Sequence, residues 1–350
     1  MNEFIHTFSA NAYLFVSETD KLKEAYKGDF FYNSEEQLFV LSKYAERGLR
    51  IQIKFTKNKE KKYDKKHRDC KIELIITPAK LLYPGEAMQK LFGKEDYKNA
   101  IETLKSLLNE IELQSGINLW REVKIKRIDL AKDICTPSDE YSQEVIRMAK
   151  KALYKTGYKI FAPTEEDVKK TGWNECNSIL FRNHNQGVNS KIYNKLQDMK
   201  NQNLDTSDIK GLLRFELSLK RDYLRQLGSN SSHISLDELS NLLCGVLEHS
   251  GELMQKHIAD PLWCGGMLSK ELQKKYIKTH CKKSKYKKLL SYRLQCNRYG
   301  IDRDEHILES FGQIGLSPLY TDEAFRYIPS FSNLLSGDAD ERIERFLKLY

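Results

Sequence analysis

The sequence predicts an α+β protein: an antiparallel sheet with helices packed on one face, followed by a smaller helical domain. Three observations carry this expectation. Several short stretches alternate apolar and polar residues at the period of two that a half-buried strand requires. Between them lie two longer segments whose apolar residues recur at helical spacing. From His233 onward the pattern turns helical, just after the Gly- and Ser-rich run Leu227-Gly-Ser-Asn-Ser-Ser232, which marks the best domain boundary in the chain. Residues 1–225 and 232–350 are the two domains expected on this basis.

Residues 1–48 carry little pattern. The first clear strand is Leu49-Arg-Ile-Gln-Ile-Lys-Phe-Thr56, and a second follows at Cys70-Lys-Ile-Glu-Leu-Ile-Ile-Thr77. Between them runs Lys57-Asn-Lys-Glu-Lys-Lys-Tyr-Asp-Lys-Lys-His-Arg68, so the pair reads as a hairpin whose long basic loop either touches a backbone phosphate or is simply a solvated tip. A turn-rich link, Pro78 to Gly85, leads to a helix over residues 96–114. There Ala100, Ile101, Leu104, Leu107, Leu108 and Ile111 keep helical spacing, and Gly116 is a fitting stop. A strand with the sequence Lys126-Arg-Ile-Asp-Leu-Ala-Lys-Asp133 follows. A second amphipathic helix, residues 138–154, starts after Pro137 and ends before Gly157.

A polar loop with Trp173 precedes Ser178-Ile-Leu-Phe-Arg182 and Ser190-Lys-Ile-Tyr-Asn-Lys195. The Asn- and Gly-rich turn between these segments is a hairpin signal. Ile192, Leu196 and Met199 also fit a helix starting near Ser190, and both readings leave Tyr193 among cations. The last strand is Gly211-Leu-Leu-Arg-Phe-Glu-Leu-Ser-Leu-Lys-Arg221. In the helical region beyond it, residues 270–298 hold eleven Lys or Arg and one acid, Glu271, with Tyr276, Tyr286 and Tyr292 interleaved. A basic helix of that kind suits a DNA backbone, since each phosphate neutralised releases counterions; a merely solvated helix is the bland alternative.

Composition narrows the classes. The chain has 350 residues, 40% hydrophobic and 31% charged, with a mean hydropathy of -0.61. It can bury a sizeable core, and no run approaches the roughly 18 apolar residues of a membrane span. The opening Met1-Asn-Glu-Phe-Ile-His lacks the layout of a signal peptide. Seven cysteines without a C-x-x-C pair point to neither a disulfide framework nor a zinc knuckle, and a reducing cytoplasm is the expected compartment. The charge of +9 is compatible with a polyanion partner, though its location says more than its sum.

Three of the candidate strands carry chemistry on one face. Lys191, Tyr193 and Lys195 share a side at strand period, Arg214 and Glu216 share another, and Arg127, Asp129 and Asp133 a third. A tyrosine hydroxyl, with a pKa of about 10 in water, is a poor nucleophile at neutral pH. Flanking Lys191 and Lys195 are expected to lower that value, and a divalent ion held by carboxylates would polarise the phosphodiester under attack. Hard oxygen donors such as Asp129 and Glu216 select Mg²⁺ or Mn²⁺ over zinc. Asp129 and Asp133 lie about 13 Å apart on a straight strand, so Asp129 is paired with Glu216 and Asp133 kept as the weaker ligand.

The trio Arg-Ile-Asp-Leu-Ala-x-Asp, Lys-Ile-Tyr-x-Lys and Leu-Arg-Phe-Glu, in this order, resembles the replication initiators of rolling-circle phages and plasmids. It is similar to the gene II/X replication proteins of filamentous phages and, nearby, to trans-acting plasmid initiators. Ile75-Ile-Thr-Pro-Ala-Lys-Leu-Leu-Tyr-Pro-Gly85 resembles a block upstream of the trio in the phage proteins. The likeness covers residues 50–221. It implies a site- and strand-specific DNA nickase in the first domain, with Tyr193 as the nucleophile that forms a 5′-phosphotyrosyl link and leaves a 3′-OH primer. Asp129 and Glu216 would match metal-site acids, and Lys195 and Arg214 cations beside the scissile phosphate. DNA contacts are expected from Lys191, Arg127, Lys282, Lys283 and Lys287. Implied partners are single-stranded or supercoiled origin DNA and a host helicase and polymerase in a bacterial cytoplasm, with no membrane. The His-x-His motif of the larger rolling-circle class is absent, and only one tyrosine sits in the motif. His184, in the preceding turn, is a possible assistant.

A rival of another class is a DNA-binding regulator without enzymatic activity, whose binding survives metal chelation and loss of Tyr193. A tyrosine recombinase is discounted because no histidine is followed by arginine at His-x-x-Arg spacing.

Overall fold

The computed structural model describes residues 3–55, 70–86, 90–154, 158–161, 177–183, 186–227, 233–263, 265–301, 304–338 and 340–349. The chain is α+β and divides into two compact units, each assembled from separate stretches of sequence. One comprises residues 2–131 and 218–250, the other residues 132–217 and 251–350.

In the first unit, the strands are β1 (Phe4–Leu14), β2 (Phe30–Asn33), β3 (Leu38–Leu41), β4 (Leu49–Phe55), β5 (Cys70–Ile76) and the leading part of β6 (Lys124–Cys135). Their hydrogen-bond order is β2-β3-β4-β5-β1-β6. β1 runs antiparallel to both β5 and β6, and β4 to both β3 and β5. The expected hairpin of residues 49–56 and 70–77 is therefore present, with Ile51 opposite Leu74 and Ile53 opposite Ile72. Its basic loop lies outside the described residues. In β5 alternate residues Cys70, Ile72, Leu74 and Ile76 are buried, which is what the period-two pattern encodes.

The helix Lys94–Ser115 buries Tyr97, Ala100, Ile101, Leu104, Leu107, Leu108 and Ile111, the expected apolar stripe with Tyr97 added, and ends on Gly116 in the left-handed conformation at φ 70°. Each large apolar side chain of this stripe contributes about 1.5–3 kcal/mol by leaving water. The Tyr97 hydroxyl, inside this stripe, donates to the Leu91 carbonyl at 2.7 Å and accepts from the Ile5 amide at 2.7 Å, which satisfies its buried polar end. The helix Leu236–Glu248 belongs to the same unit. It starts with a capping box in which Ser235 accepts from the Glu238 amide at 3.1 Å and Glu238 accepts from the Ser235 amide at 2.7 Å.

In the second unit a short strand β7 (Leu153–Tyr154) pairs with Leu262–Trp263, and β8 (Tyr158–Phe161), β9 (Ser178–Asn183), β10 (Val188–Asn194) and β11 (Leu212–Lys220) are strands of a sheet. The order here is β6-β11-β10-β9-β8. The expected 183–189 hairpin is antiparallel, with Val188 opposite Asn183; His184 lies outside the described residues. The helix Asp139–Lys151 is capped by Ser138 and stops short of the expected Tyr154, because the backbone turns extended at Ala152. Residues 251–349 are mainly helical, as the sequence predicts, with Lys270–His280, Lys283–Tyr299, Glu305–Gln313, Phe331–Ser336 and Glu341–Leu349.

One glycine matters for the site. A Cβ at Gly211 would stand 2.2 Å from Thr136 Oγ1 and 2.3 Å from the Ser138 carbonyl oxygen, so β11 enters beside the end of β6 only where no side chain intervenes. The Thr136 amide donates to the Gly211 carbonyl at 3.0 Å and fixes this approach.

Candidate active site

Within the second unit the neighbouring strands β6, β11 and β10 carry Asp133, Arg214 with Glu216, and Tyr193. Asp133 and Arg214 are both buried, with side chains 2% and 6% exposed. The guanidinium donates Nε to Oδ1 at 2.5 Å and Nη2 to Oδ2 at 2.8 Å, a two-point fork that fixes its plane. Burial by itself disfavours the charge on Arg214, but hydrogen bonds and attraction from Asp133 outweigh it and the guanidinium is held charged more firmly than usual.

The Tyr193 hydroxyl donates to Glu216 Oε2 at 3.3 Å. Arg214 also hydrogen-bonds this hydroxyl, so the phenol oxygen lies between an acceptor and a pinned donor. Tyr193 is 8% exposed. Burial is the largest influence on its titration and Glu216 adds to it, while Arg214 opposes; the net effect raises the phenol well above its ordinary range. This corrects the expectation that flanking lysines lower it. Lys191 sits over the ring face, its Nζ 4.3 Å from the centroid, while Lys195 pairs with Asp198. The cation that reaches the hydroxyl is Arg214.

Lys195 is displaced by a change of secondary structure. β10 ends at Asn194, whose side chain caps the helix Lys195–Asn201 by accepting from the Gln197 amide at 3.0 Å. At strand period Lys195 would share the Tyr193 face, but as the first helical residue it forms an ion pair with Asp198 instead. Burial works against the Asp198 charge, and Lys195 overcomes it, leaving the carboxyl below its usual range. Asn194 Nδ2 also donates to Asp139 Oδ1 at 2.5 Å, which ties the end of β10 to the first turn of the helix Asp139–Lys151.

No protein-family model matches the chain, and no curated protein does. Among solved structures, that of a rolling circle replication initiator protein from Geobacillus stearothermophilus is similar over 91% of this chain and 97% of its own, at 12% identity and a TM-score of 0.33. At that identity the likeness transfers no residue role.

The remaining expected residues fall elsewhere. Arg127 and Asp129 belong to the first unit, where Arg127 Nε lies 2.9 Å from Asp129 Oδ2 and Asp129 is 4% exposed. Among the described residues no group of three or more His, Cys, Asp or Glu could hold a metal ion. Both oxygens of Asp133, the weaker expected ligand, accept hydrogen bonds from Arg214. Lys282, Lys283 and Lys287 are exposed at the start of the helix Lys283–Tyr299, and no carboxylate pairs with them among the described residues. Not all of the eleven cations face water: Arg293 is 4% exposed and donates to the Lys270 carbonyl and Gln273 Oε1 at 2.8 and 2.9 Å. Tyr276 and Tyr292 are likewise buried, so they pack rather than interleave with a phosphate backbone.

Two positions have little or no signal in the sequence. Asp198 is marked only by its three-residue spacing from Lys195. Buried His257 lies in a π-helical turn, Gln255–Ala259, where its carbonyl accepts from Ser190 Oγ at 2.8 Å and its Nδ1 meets the Tyr158 hydroxyl at 3.0 Å. Burial first, and Lys256 second, lower the imidazole to about 4, so it is neutral near pH 7. No described helix is long and apolar enough to cross a membrane.

Proposed function

We propose that this chain initiates rolling-circle DNA replication by nicking one strand at an origin through Tyr193. The observation that carries this reading is the Tyr193 hydroxyl held between Glu216 and an Arg214 that Asp133 locks in place, on strands that also bear the trio of motifs resembling such initiators. In the reaction the phenol oxygen forms a bond to phosphorus and the bond from phosphorus to the 3′ oxygen breaks. The phenol proton passes to Glu216, and the departing 3′ oxygen takes a proton from water to become the primer hydroxyl. Arg214 faces the charge that develops on the phosphoryl oxygens. Running the same exchange backwards rejoins the strand without ATP, because the phosphodiester bond energy is kept in the tyrosine ester.

Origin DNA, a host helicase and polymerase, and a bacterial cytoplasm belong to the same proposal. So does a requirement for Mg²⁺ or Mn²⁺. The exposed lysines Lys282, Lys283 and Lys287 supply backbone contacts.

A DNA-binding regulator without enzymatic activity is the second reading, favoured by the burial of Tyr193 and its raised phenol. Incubating the purified chain with supercoiled plasmid carrying its own replicon separates the two. Wild type and Tyr193→Phe are compared on a denaturing gel with Mg²⁺ or Mn²⁺ and again in chelator. Relaxed circles with protein joined to a 5′ end, both lost in the variant, support the nickase. Tight binding without nicking in any metal gives the argument to the regulator.

A further inference from the structure

Away from the tyrosine, the second unit contains a cavity of about 520 Å³ whose lining includes Tyr276, His280, Ile314, Arg342, Arg345 and Phe346. That volume is in the range of small-ligand sites. Its wall is aromatic. The His280 imidazole stacks on Tyr276 with centroids 4.0 Å apart and planes 16° from parallel, and Phe346 meets both rings edge-on at 4.9 and 6.1 Å. His280 Nδ1 is also hydrogen-bonded to the Tyr276 carbonyl at 3.0 Å, so the ring is fixed before anything binds, although the residue is exposed. The Tyr276 hydroxyl donates to the Ile314 carbonyl at 3.1 Å, and its buried ring backs His280, whose other face is the one left for a base.

The charged members of the lining are all basic. Arg342 and Arg345 are exposed, and the lining includes no carboxylate; Asp340 Oδ1 accepts from the Arg342 amide at 3.2 Å, and Arg345 makes an open pairing with Glu341 at 3.5 Å, with side chains 80% and 83% exposed. Such a pair holds little in water and yields to a better anion. A preset aromatic platform beside two guanidiniums matches a flat π-face linked to an anion. Lys278 and Lys282, both exposed, flank Thr279 and His280 in sequence, so the basic surface of these helices leads to the cavity.

We propose that this cavity binds one nucleotide of an unpaired DNA strand, its base stacked on His280 and its phosphate held by Arg342 and Arg345. The proposal adds a subsite to the DNA-binding reading above but does not depend on cleavage. It is tested on the full chain with dAMP as the probe, by isothermal titration and saturation-transfer NMR. Expected is dAMP binding that weakens roughly tenfold in His280→Ala, the size of one lost stacked base. It falls by at least as much in Arg342→Ala/Arg345→Ala, while circular dichroism of both variants stays that of wild type. These substitutions are at exposed positions, so the fold tolerates them. Deoxyadenosine and inorganic phosphate should each bind more weakly than dAMP. An unpaired (dA)10 oligomer should displace dAMP, which identifies a strand rather than a free nucleotide as the occupant.

Absence of dAMP binding, or binding unchanged in both variants, overturns the subsite. Phosphate binding as tight as dAMP overturns the stacking, and an oligomer that fails to displace dAMP overturns the strand assignment. Tyr193→Phe leaves dAMP binding unaltered whether or not it abolishes nicking, so failure of the nickase reading and failure of this one give different results.

Discussion

Replacing Asp133 with alanine tests the arrangement at its centre. The substitution removes both acceptors of the Arg214 fork and leaves a guanidinium whose side chain is 6% exposed without its carboxylate. Charge-assisted hydrogen bonds contribute about 1.5–3 kcal/mol each, but the dominant cost is a buried charge left uncompensated. Breaking a buried pair from one side costs about 3–5 kcal/mol, a large share of the roughly 5–15 kcal/mol that typical domains have. Urea unfolding followed by circular dichroism measures the loss. The double variant Asp133→Leu/Arg214→Met should recover most of it, because replacing both members removes the stranded charge. Running each titration with and without Mg²⁺ separates an arginine anchor from a metal ligand: an anchor gives the same loss in both. A loss below about 1 kcal/mol, the worth of an exposed pair, or a loss that appears only with Mg²⁺, refutes the reasoning.

Four other outcomes follow from the same geometry. Gly211→Ala brings a methyl to 2.2 Å from Thr136 Oγ1 and should destabilise by about 1–3 kcal/mol or more, read as a lowered urea midpoint. Tyr193→Phe should abolish nicking while changing stability by about 1–3 kcal/mol, since the hydroxyl's hydrogen bonds to Glu216 and Arg214 are lost. Because the folded phenol of Tyr193 titrates above the unfolded value of about 10, its contribution is intact below that pH and is lost as pH rises beyond it; the alkaline decline should be shallower in Tyr193→Phe. His257 shows the opposite dependence. Its imidazole titrates at about 4 when folded, so its contribution is intact above the unfolded value of about 6.5 and disappears as pH falls toward 4, by up to about 3 kcal/mol at roughly 1.4 kcal/mol per unit. His257→Gln should flatten the acid limb of a stability–pH curve, and an unchanged limb would show that the imidazole titrates alike in the folded and unfolded chain.

The sheet was legible because its strands bury one side: Cys70 to Ile76 alternate in the structure as they do in the sequence. The helix stripe from Ala100 to Ile111 was equally plain, since 3.6-residue spacing survives any tertiary context. Lys195 was misread because period two was extended one residue too far. The stop signal was Asn194, a good helix cap written inside what looked like a strand. The tyrosine's environment was legible in kind but not in sign. Two cations, Lys191 and Lys195, were visible nearby in sequence, yet burial depends on packing from residues far away, and burial decides the titration. The division into units was hidden for a topological reason: β6 and β11 each pass from one unit's residues to the other's, so both units are discontinuous in the chain. Nor could residues 270–298 reveal that Arg293 is buried, because a lysine-rich helix hides its one inward cation among outward ones.

The clamp at the end of β10 also has a mechanical side. Tyr193 stands one residue before Asn194, whose side chain grips Gln197 on one side and Asp139 on the other, while β10 is laced antiparallel to β9 from Val188 to Tyr193. A DNA end esterified to that tyrosine and dragged by advancing replication would pull on a strand rather than on a loop. Its load would spread over a ladder of hydrogen bonds strained together, and the neighbouring helix would act as a knot in the rope. An anchorage of this kind suits a bond that must last for the copying of a whole circle and still be handed back at the end.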